Sequence, residues 1–257
     1  HKPQYVLPFG IDDKKATQNF KRWLKGLWFA PGDLKHYADS ANRLAGMYLP
    51  FWTFDCKTNS SYTGQRGDNY TVTESYTAVE NGRNVSRTRQ VVKTRWSPAS
   101  GRVNNTFDDV LIEATTSLRK DKLRALEPWD LKNLVSYNDG YLSGFRTETY
   151  SIDVKGGYQE AKQVMEPVIQ NTIRADIGGD QQMIQYVNTS YHNPTFKHIL
   201  LPVWLSAYRY NNKVYQFLVN ARTGEVQGER PYSAIKITLA VIAALVAVGI
   251  IILIGNK

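Results

Sequence analysis

Residues 200–220 read LLPVWLSAYRYNNKVYQFLVN. Aromatic and β-branched residues flank Asn211-Asn212, and asparagine tolerates the positive φ that both central positions of a tight hairpin demand. The stretch is therefore strand, two-residue turn, strand. Its Leu-Pro-x-Trp opening returns at 48–58, YLPFWTFDCKT. Proline has no N–H to give to a ladder, so each copy is expected to start a strand at a sheet edge and to bury one tryptophan. Two such strands, each followed by a hairpin-like return, imply two related half-modules packed together.

Outward from this pair the pattern is α+β. Residues 76–89, YTAVENGRNVSRTR, place Asn81-Gly82 between two extended polar runs, a second hairpin signal. Further strands are expected over 110–114, 141–152 and 183–187. Helices are expected over 122–137, which contains LEPWDL, and over 158–173, where Tyr158, Ala161, Met165, Val168 and Ile169 form one stripe and Pro167 should bend the helix near Glu166. Residues 12–29, DDKKATQNFKRWLKGLWF, put Ala16, Phe20, Trp23, Leu24 and Leu27 on one helical face, with Lys14, Lys15, Lys21, Arg22 and Lys25 around the rest. Pro31-Gly32 ends that helix, and Asp33 caps a short one running toward Leu44. A basic helix carrying Trp23 and Trp28 can lie on an anionic membrane or pack on its own domain. Lys21, Arg22, Trp23, Lys25 and Trp28 are thus the candidate partner or lipid surface.

Residues 237–254, ITLAVIAALVAVGIIILI, carry no charge and a single polar side chain, Thr238. At about 1.5 Å per residue such a helix reaches roughly 27 Å, close to a hydrocarbon core of about 30 Å. Ile237, Leu239, Val241, Ile242, Leu245, Val248, Ile250, Ile251, Leu253 and Ile254 are the expected lipid-facing set. Only Gly255, Asn256 and Lys257 follow, the layout of a tail anchor. Arg222, Arg230 and Lys236 precede the span against Lys257 after it, which places the globular part in the cytosol. Five Asn-x-Ser/Thr triplets, at Asn59, Asn69, Asn84, Asn104 and Asn188, are what a glycosylated ectodomain would carry. The lone Cys56, which excludes an intrachain disulfide and any multi-cysteine zinc site in these residues, favours a reducing compartment instead.

Thirty-two Lys and Arg against 23 Asp and Glu give a net charge of +9, suited to an anionic lipid surface or to nucleic acid. No segment fits G-x-x-x-x-G-K-[ST], so the chain by itself is no ATP-driven motor. There is no G-x-S-x-G elbow and no H-E-x-x-H helix. His36, His192 and His198 are scattered, and the spacing of the last two does not suit ligation from one helix face. Asp108-Asp109 open an apolar strand. Asp176 and Asp180 flank Gly178-Gly179, which reads either as an ion- or phosphate-binding loop or as a helix cap and turn. Arg87, Arg89, Lys93 and Arg95 alternate along one strand face, either to meet phosphates or as a solvated sheet surface. None of the Asp108, Asp109 and Asp176 groups has an acid–base partner in the sequence, so no enzyme, cofactor or small-molecule substrate is expected.

The strings YLPFWTFDCKTNSSYTGQRGD, LEPWDL, YLSGFRTETY and IRADIGGDQQ, with residues 195–237, resemble a bacterial family of TFIIB-type zinc-ribbon membrane proteins, often catalogued as a primosomal protein N′ or replication factor Y helicase. The likeness runs from about Phe20 onward. It implies an N-terminal four-cysteine zinc ribbon, a cytosolic α+β region and a C-terminal membrane helix. No CxxC pair is present here, so the ribbon is either lost or lies with its zinc before His1, the latter being the expected reading, since that position does not hold the Met of a chain start. The helicase label lacks its phosphate loop. The resemblance also implies a flotillin-like (SPFH) membrane scaffold protein as partner.

The sequence therefore predicts an α+β protein with two related antiparallel β modules, intervening helices and one C-terminal transmembrane helix. Its parts are a helical segment at 1–46, an α+β cytosolic domain at 47–234 and a membrane anchor at 235–257. The expected role is a non-enzymatic adaptor at the bacterial inner membrane, with a membrane-tethered nucleic-acid-binding protein linked to replication as the rival.

Overall fold

The computed structural model describes residues 1–34, 44–80 and 82–255. The helix expected after Asp33, together with His36, Asn81, Asn256 and Lys257, lies outside them. Eight strands form one mixed sheet: β1 (Tyr5–Val6), β2 (Ala45–Glu80), β3 (Arg83–Glu113), β4 (Val135–Ser136), β5 (Arg146–Thr147), β6 (Gln181–Tyr210), β7 (Lys213–Asn220) and β8 (Val226–Gly228). The order is β3-β2-β6-β1-β4, with β5 on β2, β7 on β6 and β8 on β7. Among the described residues four α-helices accompany it: α1 (Asp13–Lys25), α2 (Lys120–Arg124), α3 (Val154–Ile177) and α4 (Ala234–Gly255).

The sheet is not purely antiparallel as expected. β1 runs parallel to β6 and β5 parallel to β2. These two-residue strands come from distant parts of the chain, so no hairpin dictates their sense. The hairpin at Asn211-Asn212 forms as read: both residues have positive φ, 47° and 60°, and Tyr210 pairs with Lys213. Gly82, between β2 and β3, has φ +75°.

Other expectations fail for local reasons. LEPWDL does not continue a helix: α2 ends at Arg124, and a cis Glu127–Pro128 bond and a 3₁₀ turn at Leu131–Asn133 follow. Proline removes a helical donor and disfavours the α region before it. The strand expected over 141–152 shrinks to β5, since 3₁₀ turn Asp139–Leu142 and Gly144, with φ +85°, break the run. α3 passes through Pro167, and its buried residues recur every fourth position, Gly157, Ala161, Met165, Ile169, Ile173 and Ile177. Val168, placed on the buried stripe by sequence, is instead exposed.

The chain divides into two compact units. In the unit of Thr53–Ile112 and Val154–Phe196, α3 packs Met165 against Cys56, whose sulfurs are 3.6 Å apart, and Tyr158 against Phe54. Burial pushes the Cys56 thiol pKa up, so it is a core group.

The unit of His1–Trp52, Glu113–Asp153 and Lys197–Lys257 holds α1 and both Leu-Pro-x-Trp motifs. Asp12 caps α1 by accepting the N–H of Lys15 at 2.8 Å. Ala16, Phe20 and Leu24 are buried with Tyr208, Phe217, Val219 and Val226, and the Phe20 ring stacks on Phe217 at 3.5 Å. Burying a side chain like Phe20 contributes about 2–3 kcal/mol.

The two motifs sit on β2 and β6, neighbours in the sheet, and neither strand is at its edge. The second copy also lies far inside β6 rather than at its start. Each proline instead supplies a carbonyl. Pro50 O accepts from Ala114 N, Ala114 O accepts from Ser151 N and Ile152 N, and Ile152 O accepts from Trp52 Nε1 at 2.8 Å. Pro202 O accepts from Ala221 N, Ala221 O accepts from Gly10 N and Ile11 N, and Ile11 O accepts from Trp204 Nε1 at 3.0 Å. The bonding pattern is the same twice. In both, the isoleucine is followed by an aspartate and a helix, Asp12 before α1 and Asp153 before α3. Trp52 is fully buried and Trp204 half-buried.

Candidate functional site

The residues 234–252 have the length and composition of a membrane span, and none of them is buried in the fold. Ile235 is 74% exposed, and Leu239, Leu245 and Ile251 are likewise turned outward. A continuous aliphatic surface of this size is far larger than a monomer in water normally shows. The sequence marked this segment by composition alone; its lack of packing inside the chain is what the structure adds.

The foot of α4 is tied to the turn after α1. Lys236 Nζ donates to Ala30 O at 2.8 Å and to Trp28 O at 3.3 Å, and Ser233 N donates to Phe29 O at 2.7 Å. Of the five surface candidates, Trp28 is therefore brought to the start of the helix, where it is 81% exposed. Trp23 is half-buried beside Phe20. Its ring lies over Gly228, where an added Cβ would come within 2.8 Å of Phe217 Cβ and 3.1 Å of Trp23 Cη2, so glycine lets β8 pass beneath the ring. Lys21, Arg22 and Lys25 are exposed on α1, with Arg22 directed at Asn19 Oδ1. The apolar face of α1 is occupied by its own unit, so a membrane could meet only the polar side and the turn at Trp28.

The structure adds cations that the sequence reading did not gather. Arg119 and Lys122, from the basic run 118–124, join Arg230 and Tyr232 just before α4. Arg230 stacks over the Tyr232 ring at 5.0 Å, and its hydrogen bond lowers the Tyr232 pKa. Arg119 is held by Asp121 in two bonds of 3.0 and 2.8 Å, which lower the Asp121 pKa. The signal available in sequence was LRKDKLR at 118–124, at a point where a helix was expected for other reasons.

Several other charged groups that the sequence singles out have structural partners. Lys93 and Arg89 reach Glu74 at 2.8 and 3.6 Å, while Arg89 and Arg95 lie over Tyr76 and Tyr70. That row is a paired sheet face. Asp176 accepts from Tyr62 OH at 2.5 Å; burial, then this bond, raise the Tyr62 pKa to about 12. Gly178 and Gly179 have φ +67° and +73° directly after α3, the geometry of a helix end and turn. Asp55, Asp108 and Asp109 lie together in one acidic cluster, with Asp55 accepting the Asp109 N–H at 2.7 Å and the Thr195 hydroxyl at 3.2 Å.

His198 is 3% exposed, packed on Trp52 with ring centroids 4.7 Å apart, while His192 is exposed. The His198 Nδ1 meets His1 O at 3.1 Å, and Nε2 is buried with no hydrogen-bond partner. Burial pushes its pKa down to about 4. In the unfolded chain the imidazole takes its proton near pH 6.5. As pH falls from 6.5 to 4 the unfolded state alone gains the proton, so stability should drop by roughly 3 kcal/mol across that window and level off below it. Denaturation midpoints measured from pH 7 to pH 4 should show this slope, and His198→Phe should flatten it.

The chain is similar to the uncharacterized protein YdjG of Bacillus subtilis (strain 168), 27% identical over 237 residues, covering 91% of this chain and 65% of that protein. The chain thus spans about 65% of the length of the curated relative it matches. No protein-family model and no solved structure matches it.

Proposed function

We propose that this chain is a non-enzymatic, membrane-tethered adaptor, in which α4 spans the bilayer and the folded part docks a partner protein beside it. The observation that carries the reading is the apolar helix that none of the fold covers. Arg222, Arg230 and Lys236 before the span favour a cytosolic folded part at a bacterial inner membrane. The docking surface is the long β2–β3 pair, which exposes Tyr70 and Tyr76 on the face of Glu74, Arg89 and Lys93, and Val79, Val92 and Trp96 on the other. Aromatic and aliphatic side chains left in water along a sheet support protein contact.

The resemblance drawn from the sequence supplies the partner class, a flotillin-like (SPFH) scaffold, and a zinc ribbon N-terminal to these residues. The repeated Pro–Ala–Ile–Trp bonding supports two copies of one module as the basis of the fold. Nucleic-acid binding, the rival, rests on net charge, and the cation row that would serve it already faces Glu74 and tyrosine rings.

A photo-crosslinking amino acid at Tyr76 or Val92 of the full chain, activated in native membranes, should capture one scaffold protein. Tyr76→Glu with Val92→Glu should lower its recovery at least tenfold while the chain stays in the membrane. Crosslinks only to nuclease-sensitive material, or recovery unchanged by the double variant, would sink the docking assignment.

A further inference from the structure

Two cavities adjoin at the foot of α4. One, of about 630 Å³, is an apolar groove whose walls include Leu24, Leu27, Trp28, Leu34, Leu239 and Ala240, with Lys25 and Lys236 also on its lining. The other, of about 550 Å³, is polar and lined by Arg119, Lys122, Arg230 and Glu229 between the rings of Trp23 and Tyr232. Leu27 lines both, so the polar chamber and the groove lie on either side of one side chain.

We infer that the two cavities together bind one anionic phospholipid, its phosphate among Arg119, Lys122 and Arg230 and an acyl chain in the groove against α4. The inference rests on α4 being a membrane span, as proposed above. Three cations face one carboxylate in the polar chamber. Arg119 is partly satisfied by Asp121 and lies 3.9 Å from Glu229, but among the described residues no carboxylate is within ion-pair distance of Lys122 or Arg230. A phosphodiester supplies the missing negative charge with acceptor oxygens that suit guanidinium and ammonium donors.

The groove identifies which phosphate. A free anion would use only the polar half and leave Leu27, Trp28 and Leu239 along the groove uncovered. A phospholipid covers both halves at once, because its headgroup and chain change character at the depth where Trp28 and Tyr232, 81% and 60% exposed, stand beside the first turn of α4. Tryptophan and tyrosine prefer that boundary. Anionic headgroups also match the excess of positive charge next to the span, an attraction that survives only near the surface.

The test is native mass spectrometry of the full chain in neutral detergent, titrated with phosphatidylglycerol, phosphatidylcholine or inorganic phosphate. One phosphatidylglycerol should be retained per chain at least tenfold more tightly than phosphatidylcholine. Lys122→Glu with Arg230→Glu should erase that preference, whereas Lys14→Glu with Lys15→Glu, on the first turn of α1, should leave it intact. Equal retention of the two lipids, or a preference that survives the Lys122 and Arg230 changes, overturns the site. Competition by inorganic phosphate at concentrations similar to the lipid also overturns it, assigning the chamber to a soluble anion. Flotation of each variant on neutral vesicles runs alongside: a variant that floats but has lost the preference bears on this site, and a wild-type chain that fails to float bears on the span instead.

Discussion

Arginine at both Ala243 and Val246 should release the chain from membranes. The two positions sit near the middle of the apolar stretch Ala234–Ile252. Each arginine at a bilayer centre costs about 2.5–3.5 kcal/mol on insertion scales, so the pair removes about 5–7 kcal/mol of insertion free energy. At about 1.4 kcal/mol per tenfold, the membrane–water partition constant should fall by more than a thousandfold, a loss that alkaline extraction and vesicle flotation resolve. Leucine at the same two positions is the control and should change nothing. Because none of the stretch is buried, the arginine variant should keep the circular dichroism and unfolding midpoint of the parent. A variant that stays with the vesicles would remove α4 as the anchor, and one whose midpoint falls would show that α4 is covered by the protein after all.

The second large effect is structural. Trp52 is fully buried and donates its indole N–H to Ile152 O at 2.8 Å, within a ring of bonds that also fixes Pro50 and Ala114. Trp52→Ala should cost about 3–5 kcal/mol from lost burial and the remaining cavity. The Ile152 carbonyl, left without its donor, adds roughly 1 kcal/mol or more. Against a total stability of about 5–15 kcal/mol for an ordinary domain, that is enough to leave much of the chain unfolded at 37 °C. Trp52→Phe separates the parts: most of the burial stays and the hydrogen bond goes, so the loss should fall to about 1–2 kcal/mol. Trp204→Ala breaks the matching bond to Ile11 but removes less buried surface and should cost less than Trp52→Ala. Urea denaturation in detergent orders the three variants, and equal losses at Trp52 and Trp204 would contradict the burial argument.

Local signals in this sequence were read where the physics is local. The start of the first helix, its buried face, the hairpin at Asn211-Asn212 and the apolar stretch before Gly255 all follow from periodicity, turn chemistry or composition within a dozen residues, although that helix stops at Lys25, capped by Gly26, rather than at Pro31-Gly32 as expected. Parallel pairing of β1 and β5 and the position of the second Leu-Pro-x-Trp deep inside β6 depend on segments far apart in the chain, and no local rule reports them. The candidate site divides the same way. Trp28 stood out as a tryptophan in a basic amphipathic segment, but Lys122 and Arg230 meet only because β8 brings the end of the sheet past α2. What the pocket takes is a tertiary property of residues whose own neighbourhoods look like ordinary solvated surface.

The two rings of bonds also fix an order of assembly. The one through Pro50, Ala114 and Ile152 has all its members by the time residue 152 leaves the ribosome, whereas the one through Ile11 cannot close before Ala221 has been made. Until then Phe20 and Leu24 have no Tyr208, Phe217 or Val226 to cover them. The apolar face of α1 is thus made long before it is sheathed, and it gains its cover just as the segment 234–252 is about to emerge. Between the synthesis of α1 and that of residue 221 the nascent chain carries an unfinished hydrophobic surface, which makes that interval the one in which a chaperone or the membrane has most to offer it.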